Sequence, residues 1–233
     1  MNTLENSFTL NLEINPSLYI KNPQDSKLGK KIIQKSVQLI HDLGFDQFNF
    51  KKLAKAIGST ETSIYRYFEN KHKLFVYLLN WYWEWMIVRI DFNTLNITDT
   101  KRKIELIIEI IIDTANRNTQ IPFIDEDLLH EIVVREGTKG YHSINVDNDN
   151  EEGFFLAYKR LCAKIQESLV EYSSNFEYPY SLASMLIETA NNNIYFSKHL
   201  PRLTDIKAKE KSKLELELKK LLMHFIFAIL DKK

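Results

Sequence analysis

The sequence predicts an all-α fold, and three observations carry that expectation. Glycine and proline are scarce, six and five in 233 residues, too few for the turns of a sheet-rich chain. Long stretches of Ile, Leu, Lys and Glu repeat at helical spacing rather than in alternation. Between residues 48 and 74, two short helical patterns meet at a single glycine, with a third starting directly behind them. At 44% apolar residues the chain can bury a substantial core, in one large or two small domains.

Residues 1–26 are rich in Asn, Ser and Thr, carry Pro16 and Pro23, and read as a flexible arm. Residues 27–43 form a helix with Ile32, Ile33, Val37, Ile40 and Leu43 as its buried stripe. Gly44 ends it, and Phe45 and Phe48 fold back onto the core. Phe50, Leu53, Ala54 and Ile57 then mark one face of a short helix capped by Asn49. Gly58 terminates that helix, since glycine takes a left-handed turn at little cost. Thr60 caps a second short helix of about two turns, and Asn70 caps a third beginning at Lys71.

Two short helices joined by a tight glycine turn make a helix-turn-helix, whose second helix can enter the major groove of DNA. Thr60, Glu61, Thr62 and Ser63 lie at the N-terminal end of that helix, where base edges are read. Tyr65, Arg66, Tyr67 and Lys71 offer hydrogen bonds or positive charge to phosphates. Glu61 either accepts from a cytosine amine or repels phosphate. Charge follows the same division. Residues 21–80 carry eleven Lys/Arg against five acids, a net +6, while residues 1–20 carry −2 and the remainder −4. A basic block beside an acidic one suits a DNA-binding domain fused to a regulatory domain.

This stretch resembles the DNA-binding domain of the TetR family of transcriptional regulators, over residues 32–79. The resemblance rests on IIQKSVQLIHDLGFD, LAKAIG, SIYRYFENKHKL and the apolar Phe75, Leu78 and Leu79. It implies that Thr60, Thr62, Ser63, Tyr65, Tyr67 and Lys71 lie at the DNA. With the cap Asn49 and with Glu61 and Arg66 they make the expected interface. Two positions depart from the family's pattern: Ser59 stands where an apolar residue usually follows the glycine, and Glu61 where a basic residue is often found.

The rest of the chain is expected to be helical too. A helix over 71–91 holds Trp81, Trp83 and Trp85, which cannot share one face, so Trp83 must point away from the other two. A helix extending to about residue 118, capped by Thr98, Asp99 or Thr100, is apolar on nearly every side and reads as buried. A shorter helix spans 125–135, and 137–152 reads as a long acidic loop. Helices over 153–173, 180–200 and 205–230 complete the chain. In the last two, Ala183, Leu186, Ile187, Ala190 and Ile194, then Leu218, Leu222, Phe225 and Ile229, recur at helical spacing. They exceed what one neighbour would cover, which suggests a partner, and the resemblance implies that the closing helices form a homodimer interface. It also implies an effector site in the C-terminal domain, with helix 71–91 joining that domain to the DNA-binding one. Trp81, Trp85, Ile108 and Phe155 are candidates to line the site, and the effector is expected to be small and hydrophobic.

The chain therefore divides into an arm over 1–26, a DNA-binding domain over 27–73 and an effector-binding and dimerisation domain over 74–233. One cysteine, Cys162, excludes an intrachain disulfide and fits the cytoplasm. No secretory signal or membrane-spanning run is present. No cofactor or metal is expected. There is no glycine-rich phosphate loop, no nucleophile elbow, and the histidines lack paired spacing. The expectation is a sequence-specific transcriptional regulator, a repressor released from a palindromic DNA operator by its effector. The alternatives are a helical small-molecule-binding dimer without specific DNA binding, or an enzyme relying on His130 or Glu131.

Overall fold

A computed structural model describes residues 11–113 and 123–231. Ten α-helices run along these residues with short 3₁₀ turns between them, and no strand occurs among the described residues. The described residues form two compact units. The first lies within Met1–Tyr82, Ala115–Ile132 and Glu136–Phe154, the second within Trp83–Thr114, Val133–Arg135 and Phe155–Lys233.

In the first unit α1 (Lys27–Leu43) starts at Ser26, whose hydroxyl accepts from the Gly29 amide, and stops at Gly44 with φ +79°. Its buried face is Ile32, Ile33, Val37 and Ile40. α2 (Phe50–Ile57) is capped by Asn49, buries Phe50, Leu53, Ala54 and Ile57, and ends at Gly58 in the left-handed region. α3 (Glu61–Tyr65) follows after Gly58, Ser59 and Thr60. α4 (Lys71–Thr94) outruns the expected 71–91. Every residue from Leu74 to Trp83 is buried, the amide of Asn80 included, because Asn80 donates to the carbonyls of Val76 and Phe154. A helix apolar all round is one buried all round.

Two expectations are corrected in this unit. Residues 11–26 are not a flexible arm. Leu12, Ile14 and Leu18 are buried, and Gln24 both donates to and accepts from the backbone of Leu12. Three apolar side chains and a buried amide anchor a segment whose composition otherwise reads as loop. Nor is 137–152 a loop throughout. After α6 (Glu126–Glu136), Gly137–Gly140 makes a 3₁₀ turn and Val146–Glu151 forms α7. The buried Asp149 carboxylate of α7 accepts from His72 Nε2 at 2.8 Å.

The second unit contains α5 (Thr100–Ile112), capped by Asp99, and its six buried isoleucines. The stretch expected to carry this helix on to about residue 118 passes out of the described residues after Asp113. α8 (Leu156–Tyr172), α9 (Pro179–His199) and α10 (Lys211–Leu230) pack with α5. Trp83 turns toward α8, stacking on Tyr158 with ring centroids 4.7 Å apart.

The closing helices correct the interface expected there. Ala183, Leu186, Ile187, Ala190, Ile194, Leu218 and Leu222 are all buried within the single chain. Their spacing reports the chain's own core, which a second copy cannot also cover. The buried stripe of α10 is Leu214, Leu218, Leu222, Ile226 and Leu230. Phe225 is therefore exposed, Ile229 half-buried, and Met185 and Leu216 are exposed as well.

Candidate nucleic-acid interface

α3 is five residues long, too short to be stable alone, so its neighbours must fix it. Thr60 supplies the cap: its hydroxyl accepts from the Ser63 amide at 3.3 Å and meets the Ser63 hydroxyl at 2.9 Å. Ile64 alone of the helix is buried, and it seats α3 against α2. Behind the helix, Tyr67 and Phe68 are buried as well. Glu61, Thr62, Tyr65 and Arg66 remain exposed along its outer side. Tyr65 leans its ring edge on Phe50, at 5.0 Å and 70°, which orients a hydroxyl that solvent still reaches.

The exposed cations suit an anionic partner. Lys27, Lys51, Lys55 and Arg66 are exposed and have no ion-pair partner among the described residues. Glu61 is exposed as well. Whether it reads a base or repels phosphate is a question of DNA sequence, since its own position permits either.

Three expected contacts turn out differently. The Lys71 ammonium donates to the carbonyls of Phe45, Asp46 and Phe48 at 3.1–3.2 Å and sits 4.6 Å from the Phe45 ring centre. An ammonium has three donors, and here all three hold the α1–α2 turn. Tyr67 is buried, with its hydroxyl 2.8 Å from that of Ser26 and its carbonyl accepting from the Ile20 amide. It joins the helix-turn-helix to the segment before it. Asn49 remains exposed, but its side-chain oxygen is engaged by the Lys52 amide at 2.9 Å. Lys31 has a role like that of Lys71, donating to the Ile57 carbonyl at the end of α2 at 2.8 Å. Sequence spacing could not single these lysines out, because nothing local distinguishes a lysine aimed at a carbonyl from one aimed at water.

The segment after α6 is tied to this frame by polar contacts. The Glu136 carboxylate accepts from the Phe45 amide at 2.9 Å. Lys139 lies 2.7 Å from Asp46 and 3.3 Å from Glu136. The hydrogen bond and charge of Lys139 hold the Asp46 carboxyl below its ordinary pKa, and the same hydrogen bond raises that of Lys139. Glu131 meets His41 at 2.9 Å. His130, beside it, is buried with Nδ1 2.7 Å from the Tyr82 hydroxyl. Both residues weighed for an enzymatic role thus make contacts inside the first unit.

The effector candidates are all buried, Trp81 in the first unit and Trp85, Ile108 and Phe155 in the second. No group of His, Cys, Asp and Glu suited to a metal ion occurs among the described residues. Cys162 is buried, and burial first, then the charge of Glu188, pushes its pKa up to about 11. No helix among the described residues is long and apolar enough to cross a membrane.

This frame has relatives. Residues 32–78 match the family described as bacterial regulatory proteins, tetR family. The nucleoid occlusion factor SlmA of Haemophilus influenzae is 30% identical over 90 residues, 38% of this chain and 41% of that one. The chain thus matches less than half the length of that relative. Two solved structures share the fold at low identity. AibR in complex with isovaleryl coenzyme A and operator DNA superposes with a TM-score of 0.57 at 12% identity, over 89% of this chain and 98% of that one. The fatty acid degradation regulator FadR of Bacillus halodurans gives 0.58 at 18% identity, over 83% and 93%. The helix-turn-helix over residues 32–78 thus matches the tetR family in sequence, and the all-helical architecture that carries it matches solved regulators in fold.

Proposed function

We propose that this regulator is a cytoplasmic, homodimeric repressor that leaves a palindromic operator when a small hydrophobic effector binds. The observation that carries the reading is α3. Its cap and its single buried side chain hold it in place, while Thr62, Tyr65 and Arg66 stay exposed and Arg66 has no ion-pair partner among the described residues. Such a helix is held in position yet has its outer face available for base edges and phosphates. Tyr65, Thr62 and Arg66 are the residues assigned to direct contact. Thr60 and Ser63 present the helix end, and Asn49, Tyr67 and Lys71 position the frame.

A dimer follows from the need to place two recognition helices on one operator. The outward residues of α9 and α10, among them Met185, Leu216, Phe225 and the half-buried Ile229, leave apolar surface for a second copy. An effector acts only through its different affinity for the DNA-competent and incompetent states. That AibR is described with isovaleryl coenzyme A, and FadR as a regulator of fatty acid degradation, supports an effector with a hydrocarbon portion. Trp85, Ile108 and Phe155, all of the second unit, are the proposed contacts.

The test is selection of binding sequences from genomic DNA by the purified protein. Recovery of a palindrome whose binding is lost in Thr62→Ala or Tyr65→Ala supports a sequence-specific regulator. Binding with a steep salt dependence and no enriched sequence means phosphate attraction alone, and the chain is then a helical small-molecule binder.

A further inference from the structure

We infer that Lys21 is a phosphate-contacting residue of the DNA interface, held beside the recognition helix by the segment that precedes α1. The inference rests on the DNA-binding reading above and extends the interface beyond the helix-turn-helix. Three observations place the side chain. The Ile20 amide donates to the Tyr67 carbonyl at 2.8 Å, which fixes the backbone before Lys21 two residues beyond the end of α3. The Lys21 ammonium lies 5.5 Å from the centre of the Tyr67 ring. The Tyr67 hydroxyl meets Ser26, the cap of α1, at 2.8 Å, so that ring cannot swing away.

The segment itself is anchored at several points. Leu12, Ile14 and Leu18 are buried, Gln24 bridges to Leu12, and Tyr19 sets its ring edge against Tyr77 at 6.0 Å. Lys21 is nevertheless exposed, and it has no carboxylate partner among the described residues. Of the nearby acids, Asp25 accepts from the Asn22 side-chain amide and Glu69 pairs with Lys73. An ammonium over an aromatic ring is oriented without using its N–H donors. Lys21 therefore offers a placed charge without an ion-pair partner among the described residues, at the ring that follows Arg66 in the chain, which is the chemistry of a phosphodiester contact. Such a contact adds affinity on any sequence and a fixed increment of salt dependence.

The experiment measures binding of the full chain to a genomically selected duplex and to a scrambled duplex of equal length, by anisotropy between 50 and 200 mM salt. Lys21→Gln should weaken binding to both duplexes by about 3- to 10-fold and lower the salt slope by about 0.9 for each protomer bound. Lys21→Arg should restore both, and Lys220→Gln, an exposed lysine of α10, should change neither. An unchanged slope in Lys21→Gln overturns the assignment, even if affinity falls, because that pattern marks altered packing rather than a lost phosphate contact. If the unaltered protein binds neither duplex, the DNA-binding reading fails first and Lys21 with it.

Discussion

α3 and α4 follow one another in the chain and are built on opposite terms. α3 has five residues, one buried side chain and an exposed outer face. α4 has twenty-four, with an unbroken buried run from Leu74 to Trp83. The long helix is specified by burial, and almost any exposed position on it is incidental. The short one is specified by its surroundings, which leaves its own outer surface free to be chosen for a partner. Stability and recognition are thereby carried by different residues, and that separation can be tested.

The sharpest break is at the seam between them. Phe68 is fully buried and lies between the end of α3 and the start of α4, its ring edge-on to Tyr77 at 5.3 Å. Phe68→Ala should cost about 3–5 kcal/mol of unfolding free energy, and DNA binding should disappear with the fold at physiological temperature. Denaturant titration checks this. A loss below about 1 kcal/mol would mean that α3 is not seated through this ring.

A second test concerns burial in the other unit. Burial pushes the Cys162 thiol from its ordinary range up to about 11, so at pH 8 the folded protein should hold roughly 100-fold less thiolate than the unfolded chain. Alkylation at pH 8 should be slower in the native protein by that factor or more. The sign is that of a thiol kept neutral by burial. The raised pKa favours the fold fully below the unfolded value near 9, and that contribution is lost as pH rises through about 11. Rapid native labelling would show that α8 opens readily.

The polar ties give a smaller effect. Asp149 is buried against His72, and Asp149→Ala should cost about 1–3 kcal/mol, the range for losing one partner of a buried hydrogen bond. Hydrogen exchange should rise first in α7, whose sequence VDNDNE has little helical preference of its own. That dependence explains why this region could not be read from the chain. A polar hexapeptide looks like loop until the histidine that engages it, seventy-seven positions earlier, is brought alongside.

The helix-turn-helix, by contrast, was legible because its determinants are local. Asn49, Gly58, Thr60 and Asn70 all cap or terminate as their spacing implied. Legibility failed wherever the answer depended on what lies opposite. The periodicity of α9 and α10 picked out seven positions that this chain's own core claims, but it could not separate them from the exposed Phe225 and the half-buried Ile229. Lys71 and Tyr67 were recognised as polar-tipped residues in the right place. Their hydroxyl and ammonium groups, however, face Ser26 and three loop carbonyls. The segment at 11–26 was hidden by its composition, since three buried apolar side chains among Asn, Ser and Pro carry no periodic signal.

The caps and the outer face of α3 close the series. Thr60→Ala removes a hydroxyl that serves the Ser63 amide and should cost about 1 kcal/mol of stability, with DNA affinity falling through a frayed helix start. Tyr65→Ala should have the least effect on stability, about 0.5–1 kcal/mol, because Tyr65 is half-exposed and its main contact is the edge-on packing with Phe50. Its effect on DNA affinity should be larger, about tenfold or more. Phe68→Ala and Tyr65→Ala thus pull in different directions, one removing binding by removing the fold, the other removing binding while the fold remains. If Tyr65→Ala melted like Phe68→Ala, the outer face of α3 would be structural after all. If it bound DNA like the unaltered protein, that face would not be the one that reads DNA, and the neighbouring Thr62 and Arg66 would have to be judged separately.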